Sequence, residues 1–304
     1  MRFEKTKEIF LMVTTECNWK CSHCYLPSRG SMSIELVEEL IDTLGRDYRM
    51  TLLGGEILTD LRYLELFPRI NQTYLLTNGL ALAQDVGLYD VLHENGIRTI
   101  TLSYYFGYEK YFCGVSAEIV RDVIRNALQR GFRIELNTVI GSFNYLDVLS
   151  ICEQSFNMHA STIRFHNFVP MGNGAGHRDY VLSSDMIDQF FNQLQEARRI
   201  YGNRMEVKYH RSFGACPNTP EAGAQNQNHL CWAGNEYIVI TPDSQIYACP
   251  FLVREELSIG IYKKGELIKT HGLMEDNRRE CIAYYPNHVL MMEKSVHTKE
   301  NTAN

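Results

Sequence analysis

Three cysteines crowd into one short stretch, Cys17-Asn-Trp-Lys-Cys21-Ser-His-Cys24, with the spacing CxxxCxxC. Thiolates this close on one loop can hold three irons of a [4Fe–4S] cluster and leave the fourth open to chelate a second molecule. A structural zinc ion competes for the same residues, but it wants four ligands, and His23 could supply the fourth only by turning inward beside Cys24. A haem attachment site would need His directly after the second Cys of a CxxC, where Tyr25 stands instead. Four more cysteines, Cys216, Cys231, Cys249 and Cys281, gather near the other end. Clustered cysteines in a chain without a signal peptide point to metal or redox chemistry rather than disulfides. Cys113 and Cys152 stand apart and read as small buried hydrophobes. Cys113, expected on the loop after the fourth strand, is also the candidate hydrogen-atom donor.

These groups must be positioned by something, and residues 8 to about 210 supply a repeating frame. Apolar or β-branched runs at Ile9–Thr14, Met50–Leu53, Thr73–Thr77, Ile97–Ser103, Arg133–Val139 and Thr162–Val169 read as strands. Helical patterns lie between them at Ser33–Leu44, Val86–Glu94, Ala117–Gln129, Tyr145–Phe156 and Ser183–Tyr201. Ser33 is placed to cap the first helix, and Gly96 and Gly131 sit where helices end. Six strands alternating with helices predict an α/β fold with a parallel sheet and right-handed crossovers. A partial (β/α)6 TIM-like barrel fits the length better than an open sheet, and either puts chemistry at the strand C-terminal ends. CxxxCxxC then follows the first strand. Gly54-Gly55-Glu56 ends the second, where glycines let the backbone approach a ligand.

Beyond residue 210 the composition shifts to Gly, Pro, Asn and Gln, and a β-hairpin is expected from Glu236–Thr241 through Pro242-Asp243 into Gln245–Ala248. The expected division is a barrel over 1–210, a metal-stapled hairpin unit over 211–292 and a polar tail over 293–304. The 304 residues include 30 basic and 36 acidic side chains, for a net charge of −6, which excludes a strongly basic nucleic-acid footprint. No apolar run is long enough for a membrane span and no secretory signal is read, so the expected compartment is the cytoplasm.

The cysteine loop resembles the CxxxCxΦC motif of the radical S-adenosylmethionine (SAM) superfamily, with His23 at the aromatic position. The likeness extends over residues 8 to about 170. Gly54-Gly55-Glu56 matches the family's GGE motif, although Ile57 replaces the usual proline, and Thr77-Asn78-Gly79 matches its TNG element. The resemblance implies that Glu56 binds the methionyl ammonium of SAM, as a carboxylate can through a charge-assisted hydrogen bond. It implies that Thr77 and Asn78 belong to the same site, and that Ser103 and Asn137 contact the SAM carboxylate and ribose. One-electron cleavage of SAM to a 5′-deoxyadenosyl radical, followed by hydrogen abstraction from substrate, is the implied chemistry. The second cysteine group resembles the SPASM and shorter twitch extensions of this superfamily, with Ser244 at the family's glycine position. That implies an auxiliary [4Fe–4S] cluster at Cys231, Cys249, Cys281 and, as fourth ligand, Cys216, in competition with zinc.

The resemblance makes the chain an enzyme with a peptide as the expected substrate, modified by crosslinking or epimerisation. A sugar or cyclitol dehydrogenase or epimerase is the alternative, and an iron–sulfur electron carrier the non-enzymatic one. The first strand begins within ten residues of the start, so no fused leader-peptide-binding domain is expected before it, which tilts the expectation toward small substrates or a separate recognition protein. A flavodoxin- or ferredoxin-type reductant is the implied partner, with neither nucleic acid nor membrane expected.

Overall fold

The computed structural model describes residues 5–112, 114–210, 213, 233–234 and 236–270. Cys113, Cys216, Cys231, Cys281 and the tail from residue 293 lie outside the described residues. In chain order the elements are β1 (Glu8–Thr14), α1 (Ile34–Leu44), β2 (Arg49–Gly54), β3 (Tyr74–Thr77), α2 (Leu80–Gln84), α3 (Leu88–Glu94), β4 (Thr99–Ser103), α4 (Glu109–Phe112), α5 (Ala117–Gln129), β5 (Arg133–Ile140), α6 (Val148–Asn157), β6 (Thr162–Asn167) and α7 (Ser184–Tyr201). Four short strands and a hairpin partner follow: β7 (Glu206–Tyr209), β8 (Tyr237–Ile240), β9 (Gln245–Tyr247), β10 (Gly260–Lys263) and β11 (Glu266–Lys269). All six expected strands form. The fold is the α/β arrangement with parallel sheets that the alternation predicts.

Two runs of strands make the wall, β8-β1-β2 and β3-β4-β5-β6-β7, and every neighbouring pair in them is parallel. The seam between β2 and β3 is closed by a side chain. Gln72, 4% exposed, accepts from the Leu52 N–H at 2.7 Å and donates through Nε2 to the carbonyls of Leu52 and Tyr74. A primary amide has the donor and acceptor of a peptide unit, so Gln72 supplies bonds that a backbone ladder would otherwise make.

The helices cover the outside of this wall because their apolar residues recur on one face. Val37, Leu40, Ile41 and Leu44 of α1 and Val120, Val123, Ile124 and Ala127 of α5 are buried in one core with strand residues such as Leu11, Leu52, Leu102, Leu136 and Phe165. The Ser33 hydroxyl caps α1 by accepting from Leu36 N–H at 3.2 Å. The glycines after α3 and α5 take φ of +79° and +80°, as helix-ending glycines do.

The hairpin expected beyond residue 236 forms as β8 and β9. It extends the barrel sheet, since β8 lies parallel to β1 with Ile9 opposite Ile238 and Leu11 opposite Ile240. Ser244, at the turn, adopts φ +61°, a conformation that costs a non-glycine residue about 1 kcal/mol or more. No helix among the described residues is long and apolar enough to cross a membrane.

Candidate active site

The C-terminal strand ends open into a cavity of about 460 Å³, within the size range of small-molecule sites. Cys17, Cys21 and Cys24 line it together with Gly54, Gly55, Thr77, Asn78, Ser103 and Asn137. The structure thus gathers residues spread over some 120 positions into one wall. Ser103 and Asn137 stand directly opposite each other in the β4–β5 register. Alternation along β5 explains how: Leu136 and Ile140 are buried in the core, while Asn137 and Val139 face the cavity.

Glu56 is placed differently. It is 1% exposed and lies behind the glycines, with its carboxylate taken by protein donors. Oε1 accepts from Leu58 N–H at 3.2 Å, and Oε2 accepts from Asn78 N–H at 2.8 Å and from the Thr77 hydroxyl at 3.0 Å. Burial raises its pKa and these three bonds oppose the rise. In this geometry Glu56 ties the end of β2 to the end of β3. These three bonds leave one acceptor site, on Oε1, with which it could meet a ligand ammonium. The glycine before it is fixed by close approach: a Cβ on Gly55 would sit 2.3 Å from the Glu16 carbonyl oxygen.

The cysteine loop leaves β1 along a path set by Gly55 N–H to Thr14 O (2.8 Å) and Glu56 N–H to Glu16 O (2.9 Å). Cys17 is exposed, with its thiol 3.6 Å from Asn78 Nδ2, whereas Cys21 and Cys24 are half-buried. Burial raises the pKa of Cys17 and of Cys24, so these thiols start protonated and release protons when a metal takes them. No set of three or more His, Cys, Asp or Glu among the described residues stands in finished metal-holding geometry. The donor set nevertheless suits an iron–sulfur cluster: three thiols on one loop, facing one cavity.

His23 behaves as the aromatic residue its motif position calls for. Its ring packs edge-on against Phe112 (4.5 Å) and Tyr105 (5.3 Å), and Nε2 shares a hydrogen bond of 3.2 Å with the Tyr105 hydroxyl. Burial holds its pKa down to about 4.

Sequence reasoning missed several cavity residues. Tyr105 follows β4 and is buried beside the cysteine loop, and burial pushes its hydroxyl well above the usual tyrosine range. His166 on β6 stacks on His210 at 5.4 Å, and burial, with His210 and Arg164 nearby, keeps its pKa well below the ordinary value. Asn137 Oδ1, Thr138 Oγ1 and His166 Nε2 are buried without a hydrogen-bond partner in the protein. Unmet polar atoms beside a cavity are what a polar ligand satisfies. The alternation on β6 offered the one available signal, since Arg164 and His166 interrupt its apolar run.

A barrel with its cavity at the strand C-terminal ends and a three-thiol loop on its first strand offers donors for a metal cofactor beside room for a small molecule. No family model matches the chain. The GTP 3′,8-cyclase of Aquifex aeolicus is 27% identical over 188 residues, 55% of this chain and 58% of that protein. The mycofactocin maturase MftC of Mycolicibacterium smegmatis is 24% identical over 284 residues, 82% of this chain and 65% of that protein. The chain therefore spans somewhat under two thirds of the length of these two relatives. The solved structure of anSMEcpe with bound S-adenosylmethionine and the Cp18Cys peptide superposes with a TM-score of 0.62 at 20% identity, covering 84% of this chain and 77% of that one. The chain is thus similar in sequence to a GTP 3′,8-cyclase and a mycofactocin maturase, and it shares the fold of anSMEcpe.

Glu56→Gln gives a testable consequence. Glutamine has one acceptor oxygen for two backbone N–H groups, so one of Leu58 and Asn78 is left unmet. Chemical denaturation is expected to show a loss of about 1–3 kcal/mol, and SAM affinity is expected to fall roughly tenfold to a hundredfold. Lost stability with an unchanged SAM titration would confine Glu56 to tying the strand ends.

Proposed function

We propose that this enzyme removes a hydrogen atom from a peptide substrate as part of an oxidative modification such as crosslinking. Cys17, Cys21 and Cys24 are assigned to the cluster, and Gly54, Gly55, Glu56, Thr77, Asn78, Ser103 and Asn137 to SAM. When both are bound, one electron breaks the S–C5′ bond of SAM and the resulting 5′-deoxyadenosyl radical abstracts the hydrogen atom. The chain's own part is orientation and the exclusion of water. The glycines at the end of β2 admit a ligand to the backbone, and the unpartnered atoms Asn137 Oδ1 and His166 Nε2 lie beside the cavity to meet its polar groups.

The observation that carries the peptide reading is the remaining wall of the cavity. Phe10, Tyr25, Phe168, Tyr237 and Phe251, with stacked His166 and His210, make it aromatic, and no Lys, Arg, Asp or Glu lines it among the described residues. A nucleoside triphosphate is recognised through cations, whereas an uncharged peptide segment is held by ring faces and neutral hydrogen-bonding groups. The peptide-bound anSMEcpe structure and the maturase relative support the same reading. The GTP cyclase relative is the counterweight.

An auxiliary [4Fe–4S] cluster held by Cys216, Cys231, Cys249 and Cys281, within a unit spanning 211–292, completes the proposal: it would accept the electron left on the substrate radical as a proton leaves, so that with the abstracted hydrogen atom two hydrogens are lost. Cys249 is buried and precedes the turn Pro250–Leu252, whose Phe251 lines the cavity and meets Tyr25 edge-on at 4.6 Å. Electrons come from a flavodoxin- or ferredoxin-type donor. The test incubates the reduced, cluster-loaded enzyme with SAM and a library of short synthetic peptides, with GTP and simple sugars in parallel. Peptide-dependent 5′-deoxyadenosine is expected, with a product lacking two hydrogens, unlabelled by D₂O and unaffected by Cys113→Ala. Turnover that depends on GTP or sugar alone overturns the peptide assignment, and one solvent deuterium in the peptide product makes the reaction an epimerisation.

A further inference from the structure

The connection from β6 to α7 carries Gly172–Gly176 across the barrel mouth and onto the backbone of the cysteine loop. Asn173 makes the contact twice. Its backbone N–H donates to the Cys24 carbonyl at 2.8 Å, and its side-chain Nδ2 donates to the Cys21 carbonyl at 3.0 Å. The residue before it leaves no slack: Gly172 has φ +54°, and a Cβ there would lie 2.5 Å from the Cys24 carbonyl oxygen. From the other side, Ser22 N–H donates to Phe112 O (2.9 Å) and the Ser22 hydroxyl to Tyr111 O (3.0 Å). The Cys21–Cys24 stretch is therefore gripped between α4 and the 172–176 turn. Cys17 lies outside that grip: it is exposed, and its thiol meets the side chains of Asn18 (4.0 Å) and Asn78 (3.6 Å) and the backbone N–H of Trp19.

We propose that Asn173 is a positioning residue for the iron–sulfur cluster. Its two hydrogen bonds fix the backbone that carries Cys21 and Cys24, so these two ligands are set in place before iron binds. Groups that orient a metal's ligands tune its affinity and electronic state without touching it. Aspartate tests the side-chain bond with almost no change of shape, because it keeps the backbone N–H and replaces the amide donor with a carboxylate oxygen facing the Cys21 carbonyl.

The inference rests on the cluster assignment, so iron is first quantified in wild type and in the Cys17/Cys21/Cys24→Ala protein. Equal iron in those two sinks the assignment, a failure separate from that of Asn173. Cluster-loaded wild type, Asn173→Asp and Asn173→Ala are then challenged anaerobically with EDTA. The cluster absorbance of both variants is expected to decay about threefold to tenfold faster, the effect of one lost hydrogen bond. The EPR spectrum of the reduced cluster is expected to change in its response to SAM. Decay and EPR spectra equal to wild type overturn the proposal. If a variant also lowers the melting temperature of the metal-free chain, the EPR response decides: an altered spectrum supports positioning, and an unaltered one assigns Asn173 to folding alone.

Discussion

Protein in which Cys17, Cys21 and Cys24 are all replaced by alanine is expected to lose about four irons per chain and all SAM-derived 5′-deoxyadenosine, while its far-ultraviolet circular dichroism stays that of wild type. The fold should survive because none of these side chains belongs to the hydrophobic core, which is built from residues such as Ile9, Leu11 and Val13 on the strand before them. The backbone bonds that direct the loop, from Gly55 to Thr14 and from Glu56 to Glu16, involve no cysteine. Chemistry should vanish because SAM cleavage needs an electron delivered through the cluster. Iron and sulfide analysis with chromatography of the nucleoside products measures both effects. Unchanged iron content in the triple variant would end the assignment of this loop as the cluster site.

The second large effect is a loss of stability on mild acidification. His23 and His166 are buried and neutral in the folded chain, with pKa values held to about 4 and well below 6.5 respectively. Once unfolded, both return to roughly 6.5. Below that pH the unfolded chain binds protons that the folded chain refuses, so stability is fully present above pH 6.5 and is lost as the pH falls toward the folded values. Each histidine contributes at most about 1.4 kcal/mol per pH unit, or roughly 2 kcal/mol between pH 7 and pH 5. Glu56 works the other way, since its raised pKa lets the folded chain take a proton first and so offsets part of the decline. Urea denaturation of the metal-free chain at pH 7, 6 and 5 should therefore show a steep decline. His166→Asn should remove up to half of the slope, and parallel slopes in variant and wild type would show that His166 titrates normally.

Much of the frame was legible because its signals are local. The alternation of apolar runs with amphipathic stretches gave six strands, the serine at position 33 marked the first helix, and the glycines at 96 and 131 marked the ends of two others. The site was legible where a motif coincided with a strand end, as at Gly54-Gly55 and Thr77-Asn78. What escaped was short or non-local. β7 has four residues directly after a long helix, too few for alternation to stand out. The β10–β11 hairpin did carry a signal: Lys264-Gly265, both with positive φ, form its two-residue turn, the geometry favoured between tightly paired strands. The pairing of β8 with β1 joins residues 229 apart, as Ile9 and Ile238 are, and nothing in either run names its partner. Gln72 and Asn173 act through backbone carbonyls, which any sequence provides, so the chain's text holds no trace of the bonds they make.

The position of β1 between β2 and β8 has a bearing on biosynthesis. The strand that leads into the cysteine loop leaves the ribosome early, yet one of its two edges stays bare until residues near 240 have followed. At about 5–20 residues per second, that interval lasts on the order of 10–45 s. During it the nascent chain exposes both an unpaired strand edge and three oxidisable thiols. Completion of the wall, and with it the shelter of the cluster loop, is thus a late event. Protein made quickly, in air and without a supply of assembled clusters should accumulate as aggregated or oxidised chains, whereas slow, low-oxygen expression gives β8 time to arrive first.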